Sequence, residues 1–222
     1  MGGNLNAVLI PAAGVGERLG RGPKAWLRLG ERTLLEWVAW SFAAMDEIWV
    51  ALPPGPQPAL ELPAQTRLVA GGASRRESVW RLLRQSQSDL VLVHDVARPL
   101  VVPEVTARVL KAAAEIGAAS PVVSPADSLV RVEAGQYGHL EDRESLRLVQ
   151  TPQGFQRQVL IRAHQEVSSG GADDAELVRG LGLPVALVAG DPRLYKLTYP
   201  ADLQILEALS WNWKFGPGPR ST

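Results

Sequence analysis

The sequence predicts an α/β fold: a mostly parallel sheet with helices on both faces and an inserted β-hairpin arm. Three observations carry that prediction. Short, unbroken apolar runs end in glycine-rich or polar turns, as strands buried on both faces do. Between these runs, apolar residues recur at helical spacing, giving the βαβα alternation of a parallel sheet. One polar, glycine-containing stretch interrupts the alternation and reads as a hairpin.

The elements follow in order. Residues 6–10 form a strand that runs into Pro11-Ala12-Ala13-Gly14. Leu34, Trp37, Val38 and Phe42 mark a helix, and Glu47–Leu52 the next strand. Five prolines between Pro53 and Pro63 force a surface loop, because proline has no N–H to give a ladder. A strand over 67–70 meets Gly71-Gly72, and Val79, Leu82 and Leu83 mark a helix. Leu90–Val93 is a strand closing on His94-Asp95; a helix with Val105, Val109, Leu110 and Ile116 starts after Pro103; Ala118–Val123 is a further strand. The hairpin strands are predicted at 128–132 and 144–149, flanking Gly135-Gln136-Tyr137-Gly138. Helices are expected at 158–167, 174–179 and 201–209, a strand at 185–188, and a loose tail from Lys214. The result is a Rossmann-like single domain over 1–222, with the arm at 124–150.

Composition bounds the function. The 222 residues are 46% hydrophobic, enough for one good α/β core and short for two domains. The formal net charge is zero, so the basic stripe of a nucleic-acid binder is missing. With no cysteine there is no thiolate nucleophile, disulfide or cysteine zinc site. Three scattered histidines, His94, His139 and His164, argue against a histidine metal centre. No apolar run reaches the roughly 18 residues that span a membrane, and residues 1–6 lack a signal peptide's pattern. A cytoplasmic protein without membrane or nucleic-acid partners is expected. Arginines number 19 against 4 lysines, which singles out each lysine.

Chemistry gathers at strand ends, where α/β sheets bind ligands. The turn after the first strand continues Val15-Gly16-Glu17-Arg18-Leu19-Gly20, then Pro23-Lys24. Small residues let backbone N–H groups approach phosphate oxygens, and Arg18 and Lys24 add charge. A tight turn with two solvated cations reads equally well from this segment alone. Two familiar phosphate loops are excluded by spacing: Lys24 follows proline and precedes alanine, so it is no Walker lysine, and Leu19 stands where the dinucleotide fingerprint needs glycine. Asp95, in His94-Asp95-Val96-Ala97-Arg98-Pro99, either holds a metal-bound phosphate or a substrate hydroxyl, or merely caps its turn. Gly71-Gly72 with Ser74, Arg75 and Ser78 either exposes backbone to a base edge or is a turn capped by Ser74. Lys196, read as leaving a strand end, is a second phosphate contact or an edge residue. Thr198 is predicted to cap the last helix.

Pro-Ala-Ala-Gly-x-Gly-x-Arg followed by Pro-Lys resembles the signature of sugar-phosphate nucleotidyltransferases. His-Asp-x-Ala-Arg-Pro, Thr151-Pro152-Gln153 and Asp173-Asp174-Ala175 narrow the resemblance to the 2-C-methyl-D-erythritol 4-phosphate cytidylyltransferase family of non-mevalonate isoprenoid synthesis. The motifs run in the family's order from Pro11 to Asp202.

That resemblance implies transfer of CMP from CTP to a small polyol phosphate, with release of pyrophosphate and with Mg²⁺ or another divalent cation. It implies that Arg18, Lys24 and Lys196 grip the triphosphate, and that Ala12, Ala13, Gly14, Gly72 and Ser78 hold cytidine. Asp95, Arg98 and Thr151 would line the acceptor, with Asp95 the metal contact, directly or through water. The arm would swap across a homodimer and bring Ser128 and Arg143 to the partner's site. Three departures stand out: Ser128 replaces the usual threonine, Ala73 an acid common beside the base, and Arg193-Leu194-Tyr195 an acid-Asn-Ile run. A ribitol-phosphate or other polyol-phosphate cytidylyltransferase would share nearly every motif. A non-catalytic nucleotide-binding protein would not need both Lys24 and Lys196.

Overall fold

The structure is a computed structural model that describes residues 5–14, 20, 22–168, 173–211 and 213. The first strand, β1 (Asn6–Pro11), is followed by a 3-10 turn at Lys24–Trp26 and a small hairpin of β2 (Arg28–Leu29) and β3 (Arg32–Thr33). Helix α1 (Leu34–Ser41) starts at a capping box. The Thr33 Oγ1 accepts from Glu36 N at 3.2 Å, and the Glu36 carboxylate accepts from Thr33 N at 2.7 Å. The other Glu36 oxygen accepts from Glu61 N at 2.8 Å and so pins the proline-rich loop onto the helix.

The chain continues through β4 (Glu47–Leu52), β5 (Thr66–Ala70), α2 (Arg75–Gln85), β6 (Leu90–Val93), α3 (Pro103–Ile116) and β7 (Ala118–Val123). Pro103 opens α3, and Gly117, at φ 103°, closes it in a conformation that a side chain would strain. Then come β8 (Val130–Glu133), β9 (Gln136–Leu140), β10 (Leu148–Val149), β11 (Gln153–Gln156), α4 (Arg157–Glu166), α5 (Asp174–Gly180), β12 (Ala186–Ala189) and α6 (Asp202–Ser210).

Eight strands form the central sheet, in the order β10-β7-β11-β6-β1-β4-β5 with β12 on β7. Only β10 and β11 run against the rest. Apolar side chains alternate between two faces. Val8, Ile10, Ile48, Val50 and Leu92 lie under α1, α3 and α6. Ala7, Leu9, Trp49, Ala51 and Val91 lie under α2, α4 and α5. Coverage on both faces is why these strands read as continuous apolar runs. Phe155 of β11 is fully buried, and its truncation to alanine would cost about 3–5 kcal/mol.

Three sequence expectations are corrected. The arm is a hairpin of β8 and β9, so its second strand is 136–140 rather than 144–149. Ala134 (φ 49°) and Gly135 (φ 79°) make the two-residue turn, as positive φ at both central positions does. Gly138 belongs to the strand, not the turn: a Cβ there would stand 2.6 Å from the Arg131 carbonyl oxygen. Residues 144–149 instead hold the end of a 3-10 turn and β10, which returns to the central sheet. Strand β11 went unread because Gln153-Gly154 carries no apolar alternation; Gly154 is needed where the strand passes under Val109 and Ala113. Thr198 does not cap α6. The Asp202 carboxylate instead accepts from Thr198 N and Tyr199 N, both at 2.7 Å.

Candidate active site

The carboxyl ends of β1, β4, β5 and β6 open on one edge of the sheet, and the turns that follow them build the site. Ala12 is buried, its N–H 2.9 Å from the Ala51 carbonyl oxygen. Gly14 is exposed, and a Cβ on it would meet nothing within 4 Å among the described residues. Arg18 lies outside the described residues.

The turn after β5 closes onto the same place. A Cβ on Gly71 would fall 2.1 Å from the Ala13 Cβ and 2.9 Å from the Leu52 carbonyl oxygen, so only glycine lets the two turns touch. The Gly72 N–H donates to Ser78 Oγ at 3.0 Å, and that hydroxyl donates to the Ser74 carbonyl at 2.9 Å. Ser74 caps α2 by accepting from Glu77 N at 3.1 Å. Ala73, one of the three departures, donates from its N–H to the Glu77 carboxylate at 2.7 Å.

Asp95 follows β6 and is more than a turn cap. Its Oδ1 accepts from Arg75 Nε at 3.1 Å, and its Oδ2 from Lys196 Nζ at 2.8 Å. Burial alone would raise its pKa, but the two cations outweigh burial and hold the carboxyl well below the usual range. Arg75 also donates from Nη1 to Asp174 Oδ2 at 2.7 Å. Lys196 was expected at a strand end; it stands in the irregular segment after β12, fixed by the buried Leu194 and Leu197 on either side.

Lys24 arrives at the same segment from the 3-10 turn, donating from Nζ to the Leu197 carbonyl at 2.6 Å. Leu197 N in turn donates to the Ala97 carbonyl at 2.8 Å. Arg98 is buried, and its two terminal nitrogens hold the Leu194 carbonyl at 2.5 Å and the Val149 carbonyl at 3.2 Å. It thereby ties the arm's return strand to the lysine loop. Its Nε is buried without a partner among the described residues.

Thr151 Oγ1 accepts from Asp95 N and stands 3.2 Å from His94 Nδ1. His94 Nε2 is 2.9 Å from the Arg98 carbonyl oxygen, which can only accept. The proton therefore sits on Nε2, and Nδ1 accepts from the threonine hydroxyl. Burial pushes the His94 pKa down to about 4, keeping the ring neutral.

The fold thus brings Lys24, Asp95, Arg98, Thr151 and Lys196 into one cluster, beside a second made by Ala12, Ala13, Gly72 and Ser78. Ser128 and Arg143 are exposed on the arm segment, and Arg143's ion partner is its neighbour Glu144 at 3.8 Å. Sequence reasoning missed Arg75 and Asp174 as members of the cluster. Each lay in a stretch that drew notice, but their pairing spans 99 residues and leaves no local signal.

The family model for 2-C-methyl-D-erythritol 4-phosphate cytidylyltransferase matches residues 6–210. A Thermus thermophilus protein of that name is 51% identical over 210 residues, covering 93% of this chain and 98% of its own. One from Deinococcus radiodurans is 47% identical over 213 residues, covering 92% and 89%. Among solved structures, the Thermus thermophilus enzyme superposes with a TM-score of 0.84 at 47% identity, covering 93% and 98%. A crystal structure of 4-diphosphocytidyl-2C-methyl-D-erythritol synthase gives 0.80 at 32%, covering 93% and 99%.

Proposed function

The chain belongs to the 2-C-methyl-D-erythritol 4-phosphate cytidylyltransferase family, and on that premise we propose how its cleft carries out the family's reaction. The enzyme joins CMP from CTP to 2-C-methyl-D-erythritol 4-phosphate and releases pyrophosphate. A phosphate oxygen of the acceptor attacks the α-phosphorus in line, and the bond to the β-phosphate bridging oxygen breaks. The nucleophile is already an anion, so no general base is required. The task left to the protein is to bring two anions together and to meet the charge that spreads over the equatorial oxygens.

The observation that carries this reading is the convergence of Lys24 and Lys196 on one loop: Lys24 is bonded to the carbonyl of Leu197, the residue after Lys196, at 2.6 Å. Two ammonium groups from opposite ends of the chain then flank one phosphate position, with Arg18 as the third cation of the motif. Cytidine lies along Ala12, Ala13 and Gly14 on one side and Gly72 and Ser78 on the other, read mainly by backbone. The acceptor lies toward Asp95, Thr151 and Arg98; the buried Arg98 shapes that side by holding the Leu194 and Val149 carbonyls.

A divalent cation suits this set in one way only. No group of three metal-binding side chains occurs among the described residues, so phosphate oxygens and water would hold Mg²⁺, with Asp95 the protein's contribution. Both Asp95 oxygens already serve cations, which favours contact through water. Mg²⁺, when bound, neutralises charge on the phosphate oxygens.

The arm completes the proposal. Val132 and Tyr137 are 69% and 72% exposed, too open for a hairpin that stands alone in water. A second copy of the chain would cover them, and Ser128 and Arg143 would then reach the partner's acceptor. No helix among the described residues is long and apolar enough to cross a membrane; the reading is of a cytoplasmic enzyme. Phosphorus NMR of a reaction with CTP and the acceptor tests it. A new diphosphodiester and free pyrophosphate are expected, and unchanged starting phosphates would refute it.

A further inference from the structure

Asp95 is one link in a longer row of alternating charges. Lys196 Nζ meets Asp95 Oδ2 at 2.8 Å, Asp95 Oδ1 meets Arg75 Nε at 3.1 Å, and Arg75 Nη1 meets Asp174 Oδ2 at 2.7 Å. The row's two ends differ most: the Lys196 side chain is 41% exposed and Asp174 1%, with Asp95 at 16% and Arg75 at 32% between them. Its loose end is the lysine, and its fixed end is a carboxylate sealed between α5 and α4, with His164 Nε2 3.6 Å from the second Asp174 oxygen. His164 is itself stacked on Trp80, centroids 5.6 Å apart.

The arrangement solves a problem that the phosphate role of Lys196 creates. Any movement of Lys196 toward a phosphate that breaks its bond to Asp95 takes away one of that carboxylate's two cations. Asp95 is the less exposed partner, at 16%, and a largely buried carboxylate left without a cation is costly. Here the other oxygen of Asp95 keeps a cation that cannot lose its proton and that a second carboxylate holds in place. Only a planar guanidinium, with donors on two edges, spans both acids at once.

We infer that Arg75, clamped by Asp174, is a positioning residue that frees Lys196 to exchange between Asp95 and the substrate's phosphate. Arg75 touches no reacting atom; it keeps Asp95 paired and in place while the lysine moves. The inference rests on the reading of this cleft as the site of CMP transfer.

The test measures whether the value of Lys196 depends on Arg75. Wild type, Lys196→Ala, the double variant Arg75→Met/Asp174→Asn, and the three combined are compared by pyrophosphate release with CTP and 2-C-methyl-D-erythritol 4-phosphate. The double variant removes one charge of each sign, so no buried carboxylate is stranded. Lys196→Ala is expected to lower kcat about 100-fold or more in the wild-type background. In the Arg75→Met/Asp174→Asn background, itself slowed, the same change is expected to cost less than about 3-fold, because interacting residues are not additive. Losses that multiply, or a double variant with wild-type kcat, would overturn the inference. If the double variant does not fold, Arg75→Lys serves instead, since one ammonium cannot span both acids. Its thermal midpoint should fall, because one buried acid loses its cation, but the protein still folded at the assay temperature should show a blunted effect of Lys196→Ala, and a full effect would count against the inference. A wild-type enzyme that releases no pyrophosphate would bring down the functional reading, and the inference with it.

Discussion

The Nζ of Lys24 lies 2.6 Å from the carbonyl oxygen of Leu197, a contact between residues 173 positions apart. It sets Lys24, near the start of the chain, beside the loop that carries Lys196, near its end. If both serve the α-phosphate, Lys24→Ala should lower kcat by about 100- to 1,000-fold, the usual cost of losing one preorganised charge donor. The circular dichroism spectrum and thermal midpoint should stay close to wild type, because the lost bond lies at the cleft. A folded variant of normal activity would return Lys24 to the role of a surface cation.

The Gly71–Ala13 contact gives a second prediction. A Cβ at position 71 would stand 2.1 Å from the Ala13 Cβ, and the Leu52 carbonyl blocks its escape at 2.9 Å. Gly71→Ala must therefore push the Ala12-Ala13 turn aside. Overpacking of this kind costs about 1–3 kcal/mol of stability, and a displacement near 1 Å can cost on the order of 100-fold in rate. Steady-state kinetics should show kcat/KM for CTP falling far more than the loss of folded protein explains. An unchanged KM and kcat would mean that this turn does not hold the nucleotide.

His94 supplies a pH dependence. Its pKa is about 4 in the fold, against 6.5 ordinarily, so the unfolded chain takes up the proton first. Its contribution is complete above pH 6.5 and is lost as pH falls toward 4, by an amount on the order of 3 kcal/mol. Asp95 and Asp174, held below the normal carboxyl value of 3.8, extend the loss to lower pH. Urea melts between pH 7 and 4.5 should show wild type weakening and His94→Gln nearly flat. Parallel slopes for the two proteins would contradict the neutral, buried histidine.

The arm is tested by mixing subunits. An inactive Lys24→Ala chain is combined with an inactive Arg143→Ala chain. If Arg143 serves the partner's site, a mixed dimer has one site with both lesions and one with neither, so activity returns. Verified subunit exchange without activity would place Arg143 in its own chain's site or in structure alone.

Much of this was legible in the sequence, for identifiable reasons. Strands Glu47–Leu52, Leu90–Val93 and Ala118–Val123 were readable to the residue because they are covered on both faces or bounded by glycine and proline. Lys24, Asp95 and Lys196 stood out as charges at strand ends or beside small-residue turns. The hairpin was misread because its turn uses Ala134, a residue that seldom takes positive φ, while Gly138 imitated a turn from inside the strand. Arg98 was read as a substrate contact, and nothing local shows that two of its nitrogens hold the carbonyls of Leu194 and Val149. Arg75 and Asp174 were beyond reach for the same reason. A buried ion pair is a fact of the packed chain, and neither half of it has a local period or spacing.

The most direct test of the central claim is pyrophosphate release by the wild-type enzyme, with each nucleoside triphosphate paired with a panel of acceptor phosphates. CTP with 2-C-methyl-D-erythritol 4-phosphate should give the highest kcat/KM, well above ATP or GTP with the same acceptor and above CTP with ribitol phosphate. Equal turnover with purine nucleotides, or a preference for ribitol phosphate, would contradict the account.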